Sequence, residues 1–60
     1  MNEKFYTVEE IAEYLKLTPA TVRKFCVEGE LGHYKIGKQF RIPVSDFEKF
    51  MRSKYHGITA

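Results

Sequence analysis

Residues 18–41 set five cations, Arg23, Lys24, Lys35, Lys38 and Arg41, against two carboxylates, Glu28 and Glu30. Ammonium and guanidinium groups at this density suit a polyanion, because each one that neutralises a phosphate releases a counterion. An arginine can also grip the edge of a guanine with two parallel hydrogen bonds. Other chemistries lack their residues. The single Cys26 and the two histidines, His33 and His56, are too few for a four-ligand zinc site. Cys26 reads as a small core residue and the histidines as surface residues. No nucleophile–base pair, carboxylate pair or phosphate-binding glycine loop is visible, and so small a chain leaves little room for a pocket of about 300 Å³. The expectation is a binding protein with no enzymatic activity, cofactor or metal.

The net charge of +2 understates this basic stretch. The first 17 residues are net acidic, with Glu3, Glu9, Glu10 and Glu13 against Lys4 and Lys16. The remainder, from Ile42 onward, nearly balances Lys49, Arg52 and Lys54 with Asp46 and Glu48. One face of the folded chain can therefore be far more positive than the total. Sixty residues make a single domain, 1–60, with an ordered core over about residues 5–54. Without disulfides, packing must supply the stability, and 43% hydrophobic and 15% aromatic residues are sufficient for a core. No apolar run approaches the roughly 20 residues that span a bilayer, and the segment from Met1 to Tyr6 lacks the apolar stretch of a signal peptide. A lone thiol then points to a reducing, cytoplasmic setting, and the opening methionine to a complete small gene product.

These cations need elements to hold them. Thr7-Val-Glu-Glu10 is a capping box, and Val8, Ile11, Ala12 and Leu15 follow at helical spacing. Thr18-Pro19 reads as N-cap followed by proline at the first helical position. Val22, Phe25 and Cys26 give that second helix its inner stripe, and Gly29 its left-handed stop. Lys16 and Leu17 alone separate the helices, which forces a tight helix-turn-helix crossing with Leu17 as the apolar plug beneath it. Tyr34-Lys-Ile36 and Phe40-Arg-Ile42 alternate at period two around Gly37-Lys38 and predict a hairpin. The alternation assigns Tyr34, Ile36, Phe40 and Ile42 to one face, and Lys35 and Arg41 to the other. Pro43 ends the second strand. Ser45-Asp-Phe-Glu48 predicts a capping box for a last helix, with Phe47, Phe50 and Met51 inward. The tail from His56 to Ala60 has no pattern and is expected to fray. The fold class is mainly α with a two-stranded wing: a winged helix-turn-helix.

The stretch Ile11-Ala12-Glu-Tyr-Leu15-Lys-Leu17-Thr18-Pro-Ala-Thr21-Val22-Arg23-Lys24 resembles the helix-turn-helix of excisionase and MerR-like proteins. Glu28-Gly29-Glu30-Leu31 and the run Tyr34 to Pro43 resemble the turn and wing of that family, and Ser45-Asp46-Phe47 the start of its closing helix. The resemblance covers roughly Phe5 to Met51. Two positions depart from it: Lys16 stands where many members carry glycine, and Gly32 where many carry proline. MerR regulators proper continue into a long coiled coil and an effector domain. This sequence carries neither, which favours an excisionase-like protein or a small regulator over a metal or drug sensor.

The resemblance implies that the second helix and the wing contact double-stranded DNA. The face opposite Val22 and Cys26 offers Ala20, Thr21, Arg23 and Lys24. Arg23 is the candidate guanine reader, Ala20 and Thr21 suit a thymine methyl, and Lys24 suits a phosphate. Thr18 is a cap first, and the N–H groups from Thr18 to Thr21 suit a phosphate oxygen. Lys38 and Arg41 would flank the backbone or enter the minor groove. Arg41 could instead pair with an acid, and Lys35 and Gln39 stand between phosphate contact and plain solvated side chain. The implied role is a recombination directionality or architectural factor, or a small transcriptional regulator. One module buries only about 600–1,000 Å² on DNA. The last helix is too short for a lasting coiled coil, so a monomer in solution is expected, gaining affinity from neighbouring copies or a recombinase. The competing reading is a protein-interaction module without DNA binding.

Overall fold

A computed structural model describes residues 4–57. Its elements are β1 (Phe5–Thr7), α1 (Val8–Leu15), α2 (Pro19–Val27), β2 (Tyr34–Ile36), β3 (Gln39–Pro43) and α3 (Val44–Ser53). The order helix, tight turn, helix, hairpin, helix matches the winged helix-turn-helix expectation. The sheet, however, has three strands in the antiparallel order β1-β3-β2. Phe5 pairs with Pro43 and Thr7 with Arg41, so the residues leading into α1 anchor the wing to the helices. Periodicity over three residues is too short to announce such a strand.

The local signals at the first two helices hold. The backbone N–H of Thr7 donates to the Glu10 carboxylate at 2.8 Å, and that of Glu10 to the Thr7 hydroxyl oxygen at 3.0 Å. Thr18 caps α2 with Pro19 behind it. Between them Lys16 takes the left-handed conformation, φ 60 and ψ 42. Its N–H and that of Leu17 reach back to the carbonyls of Ala12 and Glu13, closing α1 with the bonds that a left-handed cap supplies. Leu17 is not the plug: it is 40% exposed, because the left-handed step turns its side chain away from the crossing. The seat beneath the helices belongs to Leu31, fully buried on the loop after Gly29. Gly29 sits at φ 81, which lets the chain reverse and send the N–H groups of Glu30 and Leu31 to the Phe25 carbonyl.

Val8, Ile11, Ala12, Val22, Cys26, Leu31, Ile42, Phe47 and Phe50 form one core, with Tyr6, Leu15, Phe25 and Phe40 packed against it. Burial pushes the Cys26 thiol above its ordinary pKa, so it is protonated at neutral pH. Met51 lies at the rim of this core, 37% exposed. His33 is half-buried rather than superficial: its ring meets Phe40 edge-on at 4.8 Å, and Nδ1 lies 2.8 Å from the Leu31 carbonyl.

Two further expectations are corrected. α3 starts at Val44 with Pro43 as its N-cap and no side-chain cap, so Ser45 is already helical. β3 runs straight into the helix, and the Val44 N–H goes instead to the Lys4 carbonyl at 3.1 Å. The hairpin faces also differ. Its two-residue turn, with Gly37 at φ 62 in the first central place, pairs Tyr34 with Arg41, Lys35 with Phe40 and Ile36 with Gln39. Paired residues share a face. Lys35 therefore lies with Phe40 and Ile42, while Tyr34 and Ile36 lie with Arg41 and Gln39 on the outer face. The expected fraying tail falls, for residues 58–60, outside the described residues.

Candidate nucleic-acid interface

The exposed face of α2 is fixed by what the helix buries. With Val22 and Cys26 inside and Phe25 half-buried, Ala20, Arg23, Lys24 and Val27 point to solvent. Val27 was not among the sequence candidates, although its spacing from Ala20, Arg23 and Lys24 places it on their face. Thr21 sits at the side of the helix, half-buried. Its hydroxyl and that of Thr18 share a hydrogen bond of 2.9 Å, and the Thr21 N–H lies 3.3 Å from the Thr18 hydroxyl oxygen. Pro19 has no N–H to offer. The start of α2 is thus a thinner phosphate cradle than the run Thr18 to Thr21 promised.

Folding brings the helix and the wing together. Arg23 of α2, Lys38, Gln39, Phe40 and Arg41 of the hairpin, and Thr7, Val8 and Glu9 at the start of α1 line one hollow of about 160 Å³. Arg41 is half-buried there, and its Nη1 lies 3.5 Å from the Phe40 carbonyl. Arg23 approaches the Glu9 carboxylate at 3.9 Å, both side chains being well exposed. Such a pair is weak and screened by salt, so it can yield to a stronger anion. Arg41 pairs with no acid among the described residues. Thr18, Ala20, Thr21 and Lys24 lie outside the hollow, on or beside the α2 surface. Lys35 does not line it either, and its ammonium lies 5.8 Å from the centre of the Phe40 ring.

The electrostatics favour an anion. From Leu31 to Pro43 the chain carries Lys35, Lys38 and Arg41 and no Asp or Glu. A larger hollow, about 720 Å³, lies on another side of α1 between Tyr6, Tyr14, Phe47 and Met51. Its rim carries Glu10 and Glu48 with Arg52, a mixed charge that does not suit phosphates. Among the described residues no group of His, Cys, Asp and Glu is placed to hold a metal ion, and no helix is long and apolar enough to cross a membrane.

Comparison with known proteins agrees with this architecture. Residues 5–55 match the family described as helix-turn-helix domain. An uncharacterized protein of Bacillus subtilis (strain 168), YvgK, is 37% identical over 51 residues, covering 83% of this chain and 17% of that protein. The chain thus spans about 17% of the length of the curated relative it matches. No solved structure matches it. On the match from β1 through α3, and on the helix-turn-helix geometry beneath it, the chain belongs to the helix-turn-helix domain family and is a small DNA-binding domain of its excisionase-like kind.

Proposed function

We propose that this domain binds duplex DNA with sequence preference, laying α2 in the major groove and the hairpin on the adjacent backbone or minor groove. The observation that carries the reading is the hollow that joins Arg23 to Lys38, Gln39 and Arg41. A helix of nine residues is about 14 Å long and enters a groove about 12 Å wide. Arg23 reads guanine, Ala20 and Val27 lie against the floor of the groove, and Lys24 holds a phosphate. Thr18 and Thr21 frame the helix start. Lys38 and Arg41 hold the next stretch of backbone with Gln39 between them, and Lys35, on the other face of the hairpin from Arg41, touches no phosphate. The role we favour is architectural, beside a recombinase or neighbouring copies, with a small transcriptional regulator as the alternative. The aromatic hollow on the other side of α1 favours a second reading, a protein-interaction module.

An NMR titration with mixed-sequence duplex at two salt concentrations tests this. Four cations, Arg23, Lys24, Lys38 and Arg41, imply a log–log salt slope of about −3.6. Amide shifts should gather on Ala20 to Val27 and Lys38 to Arg41. Arg23→Ala should weaken binding and relax the preference at one base pair, whereas Lys35→Ala should leave the slope unchanged. Silence at those amides in a folded protein refutes DNA binding and leaves the protein-interaction reading.

A further inference from the structure

The outer face of the sheet is apolar where solvent should make it polar. Ile36 is 64% exposed, Tyr34 53% and Phe5 42%. Single exposed apolar residues are ordinary, but these three are contiguous. Tyr34 and Ile36 share a face at period two, and the rings of Phe5 and Tyr34 meet edge-on at 5.8 Å. The same register sets Gln39 opposite Ile36 and Arg41 opposite Tyr34. The apolar strip therefore runs beside two of the wing residues that line the hollow with Arg23. Ile36 is also the last strand residue before the turn, next to Gly37 and Lys38, so it stands at the tip of the wing.

A protein partner and a duplex would both cover apolar surface, and charge decides between them. The hairpin has no carboxylate, and two of its three cations flank the strip, Arg41 on the same face and Lys38 in the turn, so what the strip meets presents negative charge around an apolar interior. Duplex DNA does this in its minor groove, where phosphates flank sugar and base-stack surfaces. Proteins that bend DNA insert apolar side chains between base steps there and hold the opened groove with arginine, lysine and glutamine.

We propose that Ile36 is a minor-groove wedge: the wing tip inserts it at a base step, with Gln39 and Arg41 on the groove wall and Tyr34 against the sugars, so that the domain bends the DNA it binds. This rests on the DNA-binding reading above and adds to it a residue and a mechanical outcome. Pyrimidine–purine steps, above all TA, unstack at least cost and are the steps that Ile36 would favour.

The exposure of Ile36 makes the test clean, since Ile36→Ala removes no core contact. The probe is a duplex of about 30 base pairs, labelled at its ends for energy transfer and carrying 2-aminopurine beside a central TA step. It is titrated with wild type, Ile36→Ala and Lys35→Ala. The expected result is that wild type and Lys35→Ala shorten the end-to-end distance and brighten 2-aminopurine, while Ile36→Ala binds within about threefold of wild type and does neither. If Ile36→Ala binds and bends as wild type does, the wedge is refuted and the DNA-binding reading stands. If wild type binds without bending or brightening, the wedge is likewise refuted. If wild type does not bind the duplex at any salt, the DNA-binding reading itself falls.

Discussion

Replacing Lys16 by glycine should make this protein more stable, and the turn between α1 and α2 says by how much. Lys16 is the one residue other than glycine with a positive φ among those described, and it sits at the left-handed cap with its side chain exposed. An L-residue in this conformation costs roughly 1–2 kcal/mol through the crowding of Cβ against the carbonyl oxygen. Glycine lifts that cost and returns about 0.5–1 kcal/mol as extra freedom in the unfolded chain. The net gain is then about 0.5–1 kcal/mol, which raises the melting temperature of so small a domain by about 4–8 °C. Thermal unfolding followed by circular dichroism reads this directly. Lys16→Ala is the control: it removes the same charge and keeps Cβ, so it should not reproduce the gain. A lower melting temperature for Lys16→Gly, or an equal gain for Lys16→Ala, would refute the argument from strain.

Leu31→Ala empties the seat beneath both helices and should cost about 2–5 kcal/mol. That is a large share of the roughly 3–9 kcal/mol available to sixty residues, so chemical denaturation should show a much lower midpoint or no cooperative transition. Glu9→Gln removes the one carboxylate that lines the basic hollow, while Glu10 keeps the capping box intact. DNA affinity should rise by about two- to fivefold at low salt, the range of an exposed ion pair, and anisotropy that shows equal or weaker binding would count against the hollow. Glu30 lies 2.6 Å from Lys54, whose hydrogen bond and charge hold its carboxyl below the ordinary carboxylate pKa. Its contribution is therefore present above the unfolded value near about 4.3 and is lost as the pH falls through the lower folded value. Melting curves of Glu30→Gln should depend less on pH across that acidic window than those of the wild type.

Much of the helix-turn-helix was legible in the sequence because its signals are local. Thr7 with Glu10, Thr18 with Pro19, and Gly29 each announce a helix end through bonds within a few residues of themselves. What was missed depends on partners far along the chain. β1 exists because β3 pairs with it, and three residues hold no period of their own. The side of the sheet taken by Tyr34 and Ile36 follows from the register of a two-residue turn, which sets even-numbered residues opposite odd-numbered ones. Apolar alternation alone groups them wrongly. Ser45 failed as a cap because the strand delivers the chain already helical at Val44, with its N–H spoken for by Lys4. In the candidate site, the solvent-facing position of Arg23 and Lys24 was legible from helical spacing and the place of Lys38 and Arg41 on the hairpin from strand alternation, whereas the hollow that joins Arg23 to Lys38 and Arg41 was not. Nor were the outer-face neighbours Tyr34 and Ile36, since period-two alternation had grouped them with Phe40 and Ile42.

The strand order has a consequence for how the protein comes into being. A ribosome releases β1, then both helices of the turn, then β2, and only afterwards β3, which belongs between the other two. Until Pro43 has emerged, β1 and β2 have no common neighbour, and the surfaces of Val8 and Ile11 lack the Ile42 side of their core. The nascent chain therefore waits as loose helices and assembles late, in one step. A fragment halted at the wing tip is not a smaller working domain but an open chain that presents its apolar stripe to proteases and chaperones.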